Sequence, residues 1–255
     1  MKNKSFSFKY IFKSTQRPAR YLCYLTSFVV LSTAISICHA QSRFAGFYGQ
    51  VGVGYESTGF SILNVVDTLP ASSYPPNGVS IPRPNPVINK SAGFAGTMTL
   101  GYTYALTNQF LLGVGAEYSP LSQSTQNITD AGVMGTIAMT KSWNLFLSPG
   151  YAIDDDKAIY TKVGYSRAKI TNSDSASGNQ TSNLLSGYSL GLGYKQFFAG
   201  NWYGFIEANY TAYSNYQISA PEPFSYNHVA YTTGTNNKSL GAYSSNALLG
   251  IGYKF

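Results

Sequence analysis

Among residues 41–255, His228 is the only histidine, and general-base chemistry at neutral pH would fall to it first. It sits between Asn227 and Val229, with Ser225 near by and no acid beside it. That grouping lacks the orienting third member of a nucleophile–base–acid arrangement. Asp154-Asp155-Asp156 is the one acidic run, and its oxygens could meet Ca²⁺. Aspartate also suits tight turns, because its side chain bonds the backbone two residues on. We read the run as a solvated turn and expect no metal site. The glycines alternate along extended segments rather than opening a helix, so no phosphate-cradling loop is expected, and no cofactor. Both cysteines, Cys23 and Cys38, fall within the first 40 residues. Beyond them there is no thiol for a disulfide, a metal or a nucleophile.

Those first 40 residues differ from the rest. Lys2, Lys4, Lys9, Lys13, Arg17 and Arg20 form a basic stretch without an acid, and Tyr21 to Ile37 is apolar. Cys38-His39-Ala40 offers a small residue before Gln41. The expectation is a secretory signal peptide over 1–40, cleaved before Gln41. Its removal leaves 11 Lys+Arg against 10 Asp+Glu, so the formal charge of +7 belongs to the leader and gives no reason to expect nucleic acid.

Residues 41–255 are expected to form an all-β, transmembrane, antiparallel up-and-down barrel of eight strands. Alternation marks strands at about 44–56, 92–105, 109–119, 140–152, 158–169, 184–197, 202–213 and 244–255. Each is near the 9–11 residues that cross a bilayer at a tilt. On the second strand Phe94, Met98, Leu100, Tyr102 and Tyr104 share one parity, and Ala95, Thr97, Thr99, Gly101 and Thr103 the other. The apolar parity should face lipid and the small, polar parity the interior. Short turns alternate with four long loops, at about 57–91, 120–139, 170–183 and 214–243, the asymmetry of periplasmic and extracellular ends. A soluble β-sandwich would also bury an alternating face; the leader, the loop asymmetry and the strand-end aromatics favour the barrel.

The inward parity carries a few charges. Glu117, Lys162, Lys195, Glu207 and Lys254 are expected to form a charge network that plugs the lumen, since an unpaired charge there is costly. On the outward parity, a register placing Trp143 across from Tyr165 sets Lys141 across from Arg167, with Lys169 next above. These three cations would stand over an aromatic girdle, where lipopolysaccharide phosphates lie.

The elements Leu147-Ser148-Pro149-Gly150-Tyr151, Lys162-Val163-Gly164-Tyr165 and the final Gly252-Tyr253-Lys254-Phe255 complete the pattern. Residues 43–255 thereby resemble the small outer-membrane β-barrel family that includes the OmpA transmembrane domain, OmpX and the neisserial opacity proteins. The resemblance implies location in the bacterial outer membrane, insertion by the outer-membrane assembly machinery, and a closing strand read through Tyr253 and Phe255. It also implies a porin-family surface protein of a Gram-negative cell, non-enzymatic, acting through its loops in envelope structure or in adhesion to a host or surface ligand. The alternative is a narrow porin-like channel for ions or small hydrophobic solutes. Barrel-type lipid A deacylases carry an H-x-S-N element; the nearest match, Tyr243-Ser244-Ser245-Asn246, has tyrosine in place of the base.

Overall fold

The computed structural model describes residues 42–69, 78–85, 88, 90–121, 123–130, 133–174, 180–221, 224–226, 229–231 and 234–255. The proposed leader, with Cys23, Cys38 and His39, lies outside the described residues, as does His228.

Every regular element in this range is a strand: β1 (Gly46–Leu69), β2 (Val79–Pro82), β3 (Ser91–Ala105), β4 (Phe110–Ser119), β5 (Gln123–Asp130), β6 (Val133–Ala152), β7 (Lys157–Asp174), β8 (Gln180–Ala199), β9 (Trp202–Pro221), β10 (Phe224–Tyr226), β11 (Val229–Tyr231) and β12 (Thr235–Lys254). Eight of them run antiparallel in the order β1-β3-β4-β6-β7-β8-β9-β12, and β12 pairs back onto β1 to close the ring. The closing seam is long, from Tyr48 opposite Lys254 up to Thr68 opposite Thr235. Closure leaves no unpaired edge around the wall, which a sheet in lipid requires. β2 and β5 pair with β1 and β6 above the ring, and β10 with β11 forms a separate hairpin.

The wall is apolar outside and polar within. Phe94, Leu100, Tyr188, Leu192 and Leu249 are among many large apolar side chains left exposed, whereas Thr97, Thr99, Asn144, Lys162 and Glu207 are buried. A water-soluble protein shows the reverse, and this distribution is that of a barrel spanning a bilayer. Inward glycines make room for large neighbours. A Cβ on Gly193 would come within 2.3 Å of the Tyr160 ring, and one on Gly252 within 2.2 Å of the Tyr203 ring.

The strands are longer than expected at the end opposite the short turns, and this corrects the loop boundaries. β1 continues to Leu69, β6 begins at Val133, β7 runs to Asp174, β8 starts at Gln180, β9 reaches Pro221 and β12 starts at Thr235. The cause is an inversion of parity. On β7 the outward residues Ile159, Val163 and Tyr165 are apolar, but from Arg167 upward the apolar side chains are the inward Ala168 and Ile170. β1 likewise changes from outward Val51, Val53 and Tyr55 to inward Phe60 and Ile62, and β12 from outward Leu249 and Ile251 to inward Leu240 and Ala242. Above the lipid the outer face meets water, so apolar residues gain by turning in. A search for one continuous parity ends where the solvent changes.

Candidate functional site

Three layers fill the lumen. The lowest, at the end of the barrel with the short turns, is aromatic: Phe44, Tyr48, Phe197, Tyr203 and Phe205 pack with Leu111, Ala152 and Ala158. The chain just before β1 contributes to it, since Phe44 stacks at 5.1 Å on Phe197. Arg43 holds this segment in place by pairing with Asp156 in the β6–β7 turn, donating to the Gly200 carbonyl in the β8–β9 turn, and lying 4.4 Å over Phe197.

The middle layer carries the charge. Lys162 on β7 donates to Glu117 Oε2 at 2.7 Å and to Glu207 Oε2 at 3.0 Å. Its side chain is 2% exposed, and that of Glu207 1%. Glu207 also accepts from the Tyr160 hydroxyl at 2.6 Å and from Gln50 Nε2 at 3.1 Å, while Glu117 accepts from Thr99 Oγ1 at 3.2 Å. The Lys162 ammonium lies 4.5 Å from the Phe146 ring centroid. Each buried charge thus meets the condition for tolerating burial: an opposite charge and further hydrogen bonds.

Above the charges lies a small polar cavity of about 40 Å³, whose lining includes Glu56, Asn144, Ser189, Asn209, Ser244 and Asn246. At roughly 10–15 Å³ per water it has room for a few waters. Phe60, Ile62, Val65, Ile137, Met139, Ile170, Leu185, Tyr213 and Leu240 form an apolar layer over it.

The expected charge network is therefore only partly brought together. Glu117, Lys162 and Glu207 meet in one cluster. Lys195 and Lys254 form no ion pair among the described residues. Lys195 instead has its ammonium 5.2–5.9 Å from the ring centroids of Tyr160, Phe44, Tyr48 and Tyr203, an aromatic cage. Lys254 is the last residue of β12, opposite Tyr48. None of the four cage residues stands out in the sequence; aromatic content on the inward parity near a strand end was the available signal.

On the outer wall the register differs from expectation. Trp143 pairs with Arg167, and Leu145 with Tyr165. Trp143 still reaches Tyr165 diagonally, with ring centroids 6.2 Å apart. Lys141 is not paired with Arg167. It lies in a β-bulge between Trp143 and Thr140, with a left-handed backbone at φ 51°, and Thr140 pairs with Lys169. The offset is set at the turn itself, where Ala152 already pairs with Ala158, and the bulge shifts the register by one residue only beyond Trp143.

The remaining candidates take structural places. Asp154 Oδ1 accepts from the backbone N–H groups of Asp156 and Lys157 at 2.9 and 2.7 Å, and its Oδ2 from Lys157 Nζ at 3.1 Å. The Asp156 N–H foremost, then the Lys157 ammonium, hold the Asp154 carboxyl below the usual carboxylate range. Ser244 is buried and donates to Glu56 Oε1 at 2.5 Å. Tyr253 stacks edgewise on Trp202 at 5.1 Å and on Phe255 at 5.3 Å, and Phe255 remains exposed.

No protein-family model matches the chain, and no curated protein matches it in sequence. Solved structures do match in shape. The outer membrane protein OprG of Pseudomonas aeruginosa aligns with a TM-score of 0.51 at 12% identity, over 83% of this chain and 96% of that one. The outer membrane protease OmpT of Escherichia coli aligns at 0.46 and 10%, over 82% and 97%. Ail, the attachment invasion locus protein of Yersinia pestis, solved with the heparin analogue sucrose octasulfate, aligns at 0.36 and 16%, over 82% and 99%. At these identities the likeness concerns the fold: the chain has the architecture of a small outer-membrane β-barrel, closed by eight antiparallel strands.

Proposed function

We propose that this protein is a non-enzymatic barrel of the bacterial outer membrane that acts through its extracellular end, in envelope structure or surface contact. It is exported with a leader over 1–40 that is then removed, and inserted by the outer-membrane assembly machinery through a closing strand ending in Tyr253 and Phe255. Its partners are outer-membrane lipid, including lipopolysaccharide, and a ligand of the loops.

The observation that carries this reading is the filled lumen. An aromatic layer, a buried Lys162–Glu117–Glu207 cluster and an apolar layer lie in series along the barrel. An eight-stranded barrel encloses just enough space for its own side chains. With the inside occupied, the extended strands and the loops between them are the surface that can meet a partner.

Conductance in planar bilayers tests this, with folding confirmed by the gel shift of unboiled protein. Folded protein should be silent, and shortening 222–234, between the end of β9 and the start of β12, should abolish surface contact while the barrel still folds. Discrete channel steps from folded wild type would instead establish the narrow pore for ions or small hydrophobic solutes.

A further inference from the structure

We infer that the outer wall at the β6–β7 bulge is a binding site for the phosphorylated headgroup of an outer-leaflet glycolipid, formed by Lys141, Arg167 and Lys169. This deepens the proposed outer-membrane role and rests on it for the source of the ligand.

Height comes first. Ten steps along β7 separate Lys157, at the periplasmic turn, from Arg167. At about 3.3 Å per residue and a tilt of about 40°, this is about 25 Å along the membrane normal, the thickness of the apolar band of such barrels. Arg167 therefore stands at the outer headgroup boundary. The outward residues below it, Val163 and Tyr165, are apolar, and Tyr165 stacks edgewise on both Trp143 and Tyr188. Leu145, Leu147 and Leu190 extend the apolar wall beneath, where acyl chains would lie.

Charge comes second. Arg167 is flanked by Trp143 on β6 and Ser186 on β8, and Lys169 by Thr140 and Leu184. None of these neighbours is an acid. None of the three cations forms an ion pair among the described residues. The bulge sets Lys141 between the Trp143–Arg167 and Thr140–Lys169 pairs.

The third observation is an orphan donor. Arg167 Nε is buried and has no hydrogen-bond partner among the described residues. Buried donors are nearly always satisfied, and an unsatisfied one asks for an acceptor. A phosphomonoester supplies several anionic oxygens, takes the planar guanidinium in a bidentate grip and can share its charge with both lysines. Lipid A combines such phosphates with acyl chains for the wall below.

The test uses the full chain, expressed with its leader, extracted from membranes and stripped of lipid. It is titrated in micelles with bisphosphorylated lipid A, with the dephosphorylated lipid and with inorganic phosphate, following the fluorescence of Trp143 in a Trp202→Phe background. Bisphosphorylated lipid A should bind, and the other two only weakly. Lys141→Gly, which suits the left-handed backbone, combined with Arg167→Ala and Lys169→Ala, should weaken lipid A binding by about tenfold or more. If the triple variant lacks the folded gel shift, Arg167→Lys serves instead: it keeps the charge, removes the bidentate grip, and should also bind more weakly. Equal binding by wild type and folded variant would overturn the site, as would equal binding of dephosphorylated lipid. Inorganic phosphate competing as well as lipid A would overturn the glycolipid assignment. None of these outcomes alters the conductance result, so failure of this site and failure of the closed-barrel reading are separable.

Discussion

Lys162 on β7 reaches past β8 to Glu207 on β9, Nζ to Oε2 at 3.0 Å, and so ties together strands that are not neighbours in the sheet. Hydrogen-bond ladders join adjacent strands only, so a cross-lumen ion pair fixes the barrel's cross-section in a way the ladders do not.

Glu207→Ala removes the shared partner of Lys162, Tyr160 and Gln50. Breaking a buried pair from one side costs roughly 3–5 kcal/mol, because the other charge stays buried. The unfolding midpoint, read as loss of the unboiled gel shift on heating, should fall clearly. Glu207→Gln keeps hydrogen-bonding groups and should fall less. An unchanged midpoint for Glu207→Ala would show that Lys162 is satisfied by Glu117 alone.

Gly193→Ala should disturb the same cluster indirectly. The added methyl would meet the Tyr160 ring at 2.3 Å, and the Tyr160 hydroxyl donates to Glu207. Overpacking of this kind costs about 1–3 kcal/mol. Gly204→Ala is the control, since the nearest atom to its Cβ would be 3.9 Å away. Comparing the two heat-modification midpoints separates the loss of a packed ring from a general effect of alanine in a strand.

Because the layers lie in series, removing one should not open the barrel. Phe44→Ala truncates a ring that packs on Phe197 and stands 5.4 Å from the Lys195 ammonium. The apolar layer of Phe60, Ile170 and Leu185 remains above it. We expect this variant to stay silent in planar bilayers. Channel steps from Phe44→Ala would mean that the aromatic layer alone holds the lumen shut.

The β6–β7 turn should contribute stability that depends on pH. The Asp154 carboxyl is held down in the folded state, first by the Asp156 N–H and then by Lys157. A depressed carboxyl stabilises above its unfolded value, about 3.9, and the contribution disappears as pH falls through the folded value. Lys157 is raised by the same contact, so its share is present below about 10.4 and lost as pH rises through its folded value. Wild type and Asp154→Ala should therefore differ in midpoint between about pH 4 and 10 and converge in acid. Both groups are exposed, so the difference should be small and reduced by salt.

Much of the candidate site was legible one residue at a time, but its geometry was not. Glu117, Lys162 and Glu207 stand out as charges on an inward parity, and the structure joins them. Lys195 has the same parity and the same charge, yet it meets rings rather than acids. Parity says which way a side chain points, whereas depth and the opposite wall decide what it meets. Lys141, Arg167 and Lys169 were legible as outward cations; the bulge at Lys141 and the register at the turn were not.

The sequence by itself determined the barrel: eight strands, their inward and outward faces within the bilayer, and the closing strand at Phe255. It could do so because one face of each strand meets lipid over a fixed thickness, which writes a period of two into the chain. The tertiary structure decided the rest. The apolar face turns inward above the lipid and lengthens β1, β6, β7, β8, β9 and β12. The β6–β7 register shifts at Lys141, and the lumen sorts into aromatic, ionic and apolar layers. These features depend on which residues lie across a closed ring from one another, and strand tilt, register and bulges set that relation rather than any local pattern.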